Sequence, residues 1–236
     1  MMKGIDTAAR IRKDKAIELV KLGFTFVGRY CVPMSGSLTY KAMTLDEANE
    51  IRSAGLAIMP IWETTAERAK TGYSGGVADG IAAEKRAKEL GIPVGTVIYF
   101  TVDYNAPESD FISIEQYFRA AKWNVGAYKL GIYAPSNVLR SIGSICDKRW
   151  LMYAWNCGNA QYDVKQTHYQ GNKEALAVGE AVGFAVDLDE AKSLDGMWRA
   201  YTTDDAALEW AKKNNITDDP ALALAFWKYN EYTKQT

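Results

Sequence analysis

The chain is poor in the residues that build metal centres and nucleophilic triads. It has a single histidine, His168, and three cysteines, Cys31, Cys146 and Cys157. A zinc site or a Ser-His-Asp triad is poorly supported, because the first takes several His or Cys ligands and the second needs a histidine base. The cysteines lack metal-type spacing and are odd in number, so we expect free buried thiols, as in a protein made in a reducing compartment. The sequence predicts no metal and no cofactor.

The charge and hydropathy patterns argue against a nucleic-acid-binding protein and against a membrane-spanning one. The formal net charge is −1, and no basic cluster marks a nucleic-acid surface. No apolar run approaches the roughly 18 residues of a membrane-spanning helix. A strand begins within four residues of the start, which leaves no room for a signal peptide, so we expect synthesis in the cytoplasm. The sequence gives no indication of the oligomeric state.

What the chain does have is a wealth of apolar and aromatic residues, including 14 Tyr and 7 Trp among 236 residues. This length suits one parallel α/β barrel, which takes about 250 residues. Most of the rings are expected in the core, and rings at strand ends could stack on sugars. After Asp195 the pattern changes, and a capped helix followed by a turn and a second helix predicts a C-terminal helical hairpin. We therefore predict a barrel domain over residues 1–197 and a helical appendage over residues 198–236.

Strand and helix patterns alternate along the barrel region, which predicts parallel pairing through right-handed crossovers. Helices are convincing only in the first five units, so the last strands are expected to be joined by loops or hairpins. The eight predicted strands are Lys3–Thr7, Thr25–Cys31, Ala57–Glu63, Thr96–Asp103, Lys129–Tyr133, Trp150–Trp155, Val164–Tyr169 and Gly183–Leu188.

Acidic side chains stand at the carboxyl ends of four predicted strands. Asp6, Glu63, Asp103 and Asp187 each follow a strongly apolar run. A carboxylate at the end of a buried strand is costly unless it is paired, hydrogen-bonded or open to a cleft. In a parallel barrel these ends meet at one mouth, where crowding of like charge would raise at least one pKa. Two carboxyl groups placed in this way suit glycosidic bond hydrolysis.

Structural roles for the same acids remain open. Asp6 and Asp187 could cap turns or pair with Arg29, and Asp189 reads as a helix-start or solvent residue. Acids on predicted helix faces, Glu47, Glu84 and Glu115, are interpreted as surface charges.

A series of short segments in a set order resembles a known family. The chain is similar over roughly residues 1–195 to a glycoside-hydrolase-like domain related to the family 25 lysozymes. The resemblance implies a TIM-like barrel close to (β/α)5β3 and, in the lysozyme relatives, cleavage of the muramic acid–glucosamine glycan of bacterial cell walls. The segments that carry it are Gly4-Ile5-Asp6, Gly28-Arg29-Tyr30, Pro60-Ile-Trp62-Glu63, Tyr99-Phe-Thr-Val-Asp103-Tyr104-Asn105, Gly131-Ile-Tyr133 and Val186-Asp187-Leu188.

The resemblance also implies roles for individual residues. Asp6 matches the acid of the first strand, and Asp103 matches the first acid of an Asp-x-Glu signature. Asn105 stands where that signature has its catalytic glutamate, and an amide cannot donate a proton as a carboxylic acid does. Glu63 is then expected to act as the acid, while Asp103 stabilises the developing cation or orients a substrate N-acetyl group.

The sequence thus predicts a peptidoglycan-directed glycosidase whose partner is the cell-wall glycan. A chain without a signal peptide would reach the wall after lysis or by another route. A catalytically silent carbohydrate-binding barrel, favoured by Asn105, and a barrel hydrolase of a small substrate remain alternatives. The predicted catalytic residues are Asp6, Glu63 and Asp103, and the predicted substrate-binding residues are Arg29, Trp62, Asn105, Tyr133, Trp155, Gln170 and Asp187.

Overall fold

The architecture is that of a computed structural model, which describes residues 1–155, 158–200 and 215. The chain divides into two units, Met1–Arg199 and Ala200–Thr236. The predicted C-terminal helical hairpin and Cys157 lie outside the described residues.

Eight strands form a closed barrel in sequence order, which confirms the predicted α/β, TIM-like fold. The apolar runs that predicted strands 1 to 7 all form strands, within a few residues of the expected ends. The strands are β1 (Met2–Asp6), β2 (Phe26–Tyr30), β3 (Ala57–Trp62), β4 (Val97–Thr101), β5 (Lys129–Ala134), β6 (Lys148–Leu151), β7 (Val164–His168) and β8 (Asp187–Ala191).

Strand β8 departs from the parallel pattern. Strands β1 to β7 pair in parallel, whereas β8 runs antiparallel to both β7 and β1. The predicted strand Gly183–Leu188 was therefore placed too early, and Asp187 begins β8 instead of ending it. Asp187 still lies at the mouth, because the first residue of an antiparallel strand meets the last residues of its parallel neighbours. Asp6 is its direct partner across the β1–β8 pair.

The helices follow the expected order in the first five units, and a sixth corrects the prediction for the last strands. Helix α6 lies between β7 and β8, where a loop or hairpin was expected. Its ends carry readable signals: the Asn172 side chain accepts a hydrogen bond from the Glu174 amide, and Gly183 ends the helix at φ +85°. The helices are α1 (Lys13–Lys21), α2 (Leu45–Ser53), α3 (Gly72–Glu89), α4 (Phe111–Asn124), α5 (Ser136–Ile142) and α6 (Lys173–Val182).

Alternation along each strand separates two apolar cores. On β4, Ile98 and Phe100 belong to the larger core between barrel and helices, while Val97 and Tyr99 belong to the barrel interior. This period-two rule decides which polar side chains can reach the mouth. Residues in step with Tyr99 continue to the inner side at Asp103, and residues in step with Phe100 do not.

A buried ion pair joins β2 to α2 outside the barrel. Arg29 Nε lies 2.7 Å from Glu47 Oε1, and both side chains are essentially inaccessible. The Glu47 carboxylate also accepts a hydrogen bond from the Ile11 amide, and Arg29 donates to the Thr7 carbonyl oxygen. Thr44 caps α2 as predicted, with its Oγ1 accepting from the Glu47 amide. The interpretation of Glu47 as a surface charge was wrong, because its carboxylate turns inward to Arg29.

Removal of this pair's acid gives a test of the fold. We expect Glu47→Ala to lower the free energy of unfolding by about 3–5 kcal/mol, because it leaves the Arg29 charge buried without its partner. Urea unfolding followed by circular dichroism measures the loss. Glu115→Ala is the matched control: Glu115 makes an exposed pair with Arg119 on α4, and its loss should cost less than about 0.5 kcal/mol. Equal effects of the two variants would contradict the assigned role.

Candidate active site

A cavity of about 400 Å³ opens at the mouth of the barrel where β1 meets β8. Asp6 and Asp187 stand side by side in its wall. The other lining residues are Thr7, Ala8, Ala9, Tyr30, Tyr40, Gln170, Ala185 and Val186. The two acids come together because the closing strands pair them directly. Gly28 on β2 leaves them room, since a Cβ there would fall 2.7 Å from that of Asp6.

Asp187 is held as a hydrogen-bond acceptor through both carboxylate oxygens. Gln166 Nε2 donates to Oδ2 at 2.8 Å, and the Gln170 amide donates to Oδ1 at 2.6 Å. Tyr133 in turn donates from its hydroxyl to Gln166 Oε1 at 3.0 Å. Burial raises the pKa of Asp187, and these hydrogen bonds counteract the rise because they favour the charged form.

The structure separates two predicted substrate contacts. Tyr133 is buried inside the barrel, where its ring packs on Trp150 with centroids 4.3 Å apart. It therefore positions Gln166 and does not line the cavity. Gln170 does line the cavity and is exposed, and its backbone amide orients Asp187. Gln166 was not predicted, although its position two residues after Val164 on the inner side of β7 is a usable signal.

Glu63 is ion-paired with Lys41, which no sequence pattern marked as a site residue. Lys41 Nζ lies 2.8 Å from Glu63 Oε1, and both side chains are largely buried. The same ammonium group lies 4.4 Å from the centre of the Tyr30 ring. Lys41 comes from the segment between β2 and α2, so only the fold brings it to the end of β3. The ion pair therefore places a positive charge beside the Glu63 carboxyl group at the mouth.

Asp103 is a half-buried acid at the end of β4. Burial raises its pKa from an ordinary value near 3.8 to about 6, with the charges of Glu63 and Asp187 adding to the rise and Lys41 opposing it. Its backbone amide donates to the Ala66 carbonyl oxygen, which fixes the chain at this point. A group with this pKa exchanges a proton near neutrality, as a general acid requires.

Asp189 is buried in the barrel, so its interpretation as a helix-start or solvent residue was wrong. It lies on β8 two residues after Asp187 and is 2 % exposed. Trp150 donates from its indole nitrogen to Asp189 Oδ1 at 2.9 Å. Burial is the first cause that raises the pKa of both Asp6 and Asp189 well above the ordinary value.

The strand alternation removes two predicted substrate contacts. Arg29 faces outward and is enclosed in its pair with Glu47. Trp62 also faces outward, where it is 2 % exposed and packs near Phe100 with ring centroids 6.0 Å apart. Trp62 is out of step with Glu63 on β3, and Arg29 is out of step with Phe26, whose side chain lies in the barrel interior. Counting alternate positions from Glu63 would have excluded Trp62 on sequence alone.

The remaining predicted residues lie on exposed loops. Asn105 is exposed in the loop that follows β4. Trp155 is 43 % exposed in the segment after β6, with φ +50°, a left-handed conformation that is uncommon for a bulky residue. Among the residues that the structure describes, no group of three or more His, Cys, Asp or Glu is placed to hold a metal ion. The same part of the chain contains no helix long and apolar enough to cross a bilayer.

Comparison with known proteins places these features in a family. The family model described as "Rv2525c-like, glycoside hydrolase-like domain" matches residues 17–236. The chain is 36% identical over 213 residues to the uncharacterized protein FadG of Bacillus subtilis, a match that covers 82% of this chain and 36% of FadG. A second B. subtilis protein, the uncharacterized YbfG, is 35% identical over 147 residues, or 56% of this chain and 20% of YbfG. The chain thus spans about a third of the length of one curated relative and a fifth of the other.

Two solved structures share the fold. The Tat-secreted protein Rv2525c of Mycobacterium tuberculosis, crystallised with L-tartrate, superposes with a TM-score of 0.70 at 20% identity, covering 84% of this chain and 98% of that one. An uncharacterized B. stearothermophilus protein gives a TM-score of 0.61 at 19% identity, covering 84% of this chain and 100% of that one. At these identities the likeness concerns the fold alone.

The crowded acids predict how stability depends on pH. The folded protein holds protons that the unfolded chain has released, so stability should fall as the pH rises from about 4 to about 7. Asp103→Asn removes one of these groups and should raise the thermal midpoint at neutral pH, with little change near pH 4. The pKa rise at Asp103 corresponds to about 3 kcal/mol. Solvent screening of this partly exposed group reduces the expected gain to about 1 kcal/mol, or about 2–4 °C.

Differential scanning calorimetry across this pH range measures the effect. Glu108→Gln is the control, since Glu108 is an exposed acid in the same β4–α4 segment and its removal should leave the pH profile unchanged. A wild-type midpoint that rises between pH 4 and pH 7 would contradict the assignment of raised pKa values.

Proposed function

The chain belongs to the Rv2525c-like glycoside hydrolase-like domain family, and from this premise we propose that it hydrolyses a glycosidic bond in the glycan of bacterial peptidoglycan. The observation that carries the proposal is the state of two neighbouring acids at the mouth. Asp103 has a pKa of about 6, raised first by burial and next by the charge of Glu63, while Glu63 is paired with Lys41. Glycosidases need one carboxyl group that can donate a proton and one that stays charged.

The roles of the two acids follow from their partners and reverse the sequence-based assignment. Asp103 is the proton donor to the glycosidic oxygen, because it is the acid whose pKa lies near neutrality. Glu63 stabilises the developing oxocarbenium cation, because it is the neighbouring carboxyl group and its ion pair with Lys41 holds it in place. In this scheme Asp103 donates the proton, so Asn105 is not required to act as an acid.

Asp6 and Asp187 orient the substrate in the same scheme. Both line the cavity, and Asp187 is fixed by donors from Gln166 and Gln170. Carboxylate oxygens can accept hydrogen bonds from the hydroxyl and acetamido N–H groups of a sugar. The peptidoglycan target is supported by the resemblance of the strand-end segments to those of the family 25 lysozymes.

The proposal is tested by digestion of purified cell walls, with mass analysis of the released ends. We expect wild type to release fragments with new reducing ends, and Asp103→Asn to lower the rate at least about 100-fold, because it removes the proton donor. The rate should also fall as the pH rises through about 6, where Asp103 loses its proton. Glu108→Gln, from the same segment, should digest as wild type does.

A catalytically silent carbohydrate-binding barrel is the second candidate. The Lys41–Glu63 ion pair favours it, since it engages one of the two acids, as does Asn105 at the position of the family glutamate. Co-sedimentation of the protein with insoluble cell wall separates the two functions. If the protein sediments with the cell wall and releases no fragment at any pH, the hydrolase proposal is wrong and the carbohydrate-binding barrel is supported.

A further inference from the structure

Two buried carboxylate oxygens lie within the site without a conventional hydrogen-bond partner. Asp6 Oδ2 and Asp189 Oδ2 are both inaccessible, and neither receives a donor from any described residue. Buried polar atoms are nearly always hydrogen-bonded, and an unsatisfied one is costly. Two carboxylates can satisfy each other only if a proton lies between them, because an ionised carboxylate is an acceptor alone.

The strand register brings these two oxygens together. Asp6 is opposite Asp187 and Gly4 is opposite Asp189, so Asp6 and Asp189 are diagonal neighbours on the inner face of the β1–β8 pair. Gly4 presents no side chain to Asp189. Trp150 binds Asp189 Oδ1, which leaves Oδ2 as the atom available to Asp6. After burial, the charges of Asp189 and Asp187 are the next causes that raise the Asp6 pKa.

We propose that Asp6 and Asp189 share one proton between their Oδ2 atoms, and that Asp189 is thereby a positioning residue for Asp6. The shared proton fixes the Asp6 carboxyl group with its second oxygen toward the cavity, since Asp6 lines that cavity and Oδ2 is buried. The cavity-facing oxygen accepts a hydrogen bond from a hydroxyl or amide group of a sugar ligand. This last step rests on the proposed function, whereas the shared proton does not.

The surroundings of Asp6 favour one negative charge on the pair over two. Among the described residues that we assign to the site, Lys41 is the one cation. Its ammonium group already forms an ion pair with Glu63. A proton held between two close carboxyl groups removes the repulsion that a second charge would add. The titratable groups at the barrel mouth that interact electrostatically with Asp6 are Tyr30, Glu63, Tyr133, Asp187 and Asp189.

The shared proton is tested without any ligand. Carbon NMR of protein labelled at the aspartate carboxyl carbons should show a carboxyl pair that stays singly protonated at neutral pH. Asp189→Asn should abolish that protonated signal, while Glu190→Gln should retain it, because Glu190 lies next to Asp189 on β8 and points to the other face. A wild-type spectrum with every aspartate ionised at neutral pH would overturn the inference.

The positioning role is tested by comparing two substitutions. In Asp189→Asn the Trp150 indole still finds an oxygen, and the amide nitrogen can donate to Asp6, so the geometry and the single negative charge are both kept. In Asp189→Ala the partner is lost. We expect binding of N-acetylglucosamine tetrasaccharide, measured by calorimetry, to stay within about twofold for Asn and to weaken about tenfold for Ala.

The outcomes separate this inference from the proposed function. Equal affinities of the Asn and Ala variants would remove the positioning role, whatever the spectrum shows. If wild type bound neither the tetrasaccharide nor a disaccharide muropeptide, the sugar-ligand step would fail together with the proposed function. The carboxyl-carbon spectrum would still show whether the proton is shared. That measurement requires only that the Asp189→Asn variant folds.

Discussion

The antiparallel pairing of β8 with β1 is the constraint on which the site depends. It closes the barrel and sets Asp187 opposite Asp6, with Asp189 one diagonal step away. A parallel β8 would present its last residues at the mouth, and Asp187 and Asp189 would then lie at the other end of the barrel. This register also sets Gly4 opposite Asp189, and on the other side of β1 a side chain at Gly28 would collide with Asp6. The cavity and the closeness of Asp6 to Asp187 follow from this pairing, and the pairing of β8 with β7 brings the Gln166 donor to Asp187.

Each acid at the mouth is stabilised by a different kind of interaction. Asp187 accepts hydrogen bonds from Gln166 and Gln170, Glu63 pairs with Lys41, and burial followed by the charge of Glu63 raises the pKa of Asp103 to about 6. Neighbouring groups that interact in this way acquire distinct protonation states, which is the arrangement that acid-assisted hydrolysis requires. Away from the mouth, Glu47 and Arg29 hold a charge pair that serves the fold alone. Acids of one chemical type therefore serve different purposes, and their surroundings decide which.

Much of the fold was readable because it depends on local patterns. Seven of the predicted strands and the helices of the first five units follow from apolar runs, alternation and turn residues, which act within a few residues of each other. The prediction erred where a local pattern has two meanings. Gly183–Leu188 is apolar enough to suggest a strand, yet it ends α6 and enters β8, and the Asn172 cap was the signal that was overlooked. Trp62 was selected for its chemistry, although alternation from Glu63 places it on the outer face, and Arg29 lies on the outer face of β2, where it pairs with Glu47.

By itself the sequence determined the barrel, the order of its strands and the strand-end positions of Asp6, Glu63 and Asp103. Those features depend on hydrophobic periodicity, which each segment carries within itself. Tertiary structure alone decided that Lys41 reaches Glu63, that Asp189 reaches Asp6 and Trp150, and that β8 runs antiparallel. Each of these joins residues from distant segments: Lys41 and Glu63 are 22 positions apart, Trp150 and Asp189 are 39 apart, and β8 pairs with β1 from the opposite end of the barrel sequence. The charge state of a carboxyl group depends on such neighbours, and no local pattern specifies them.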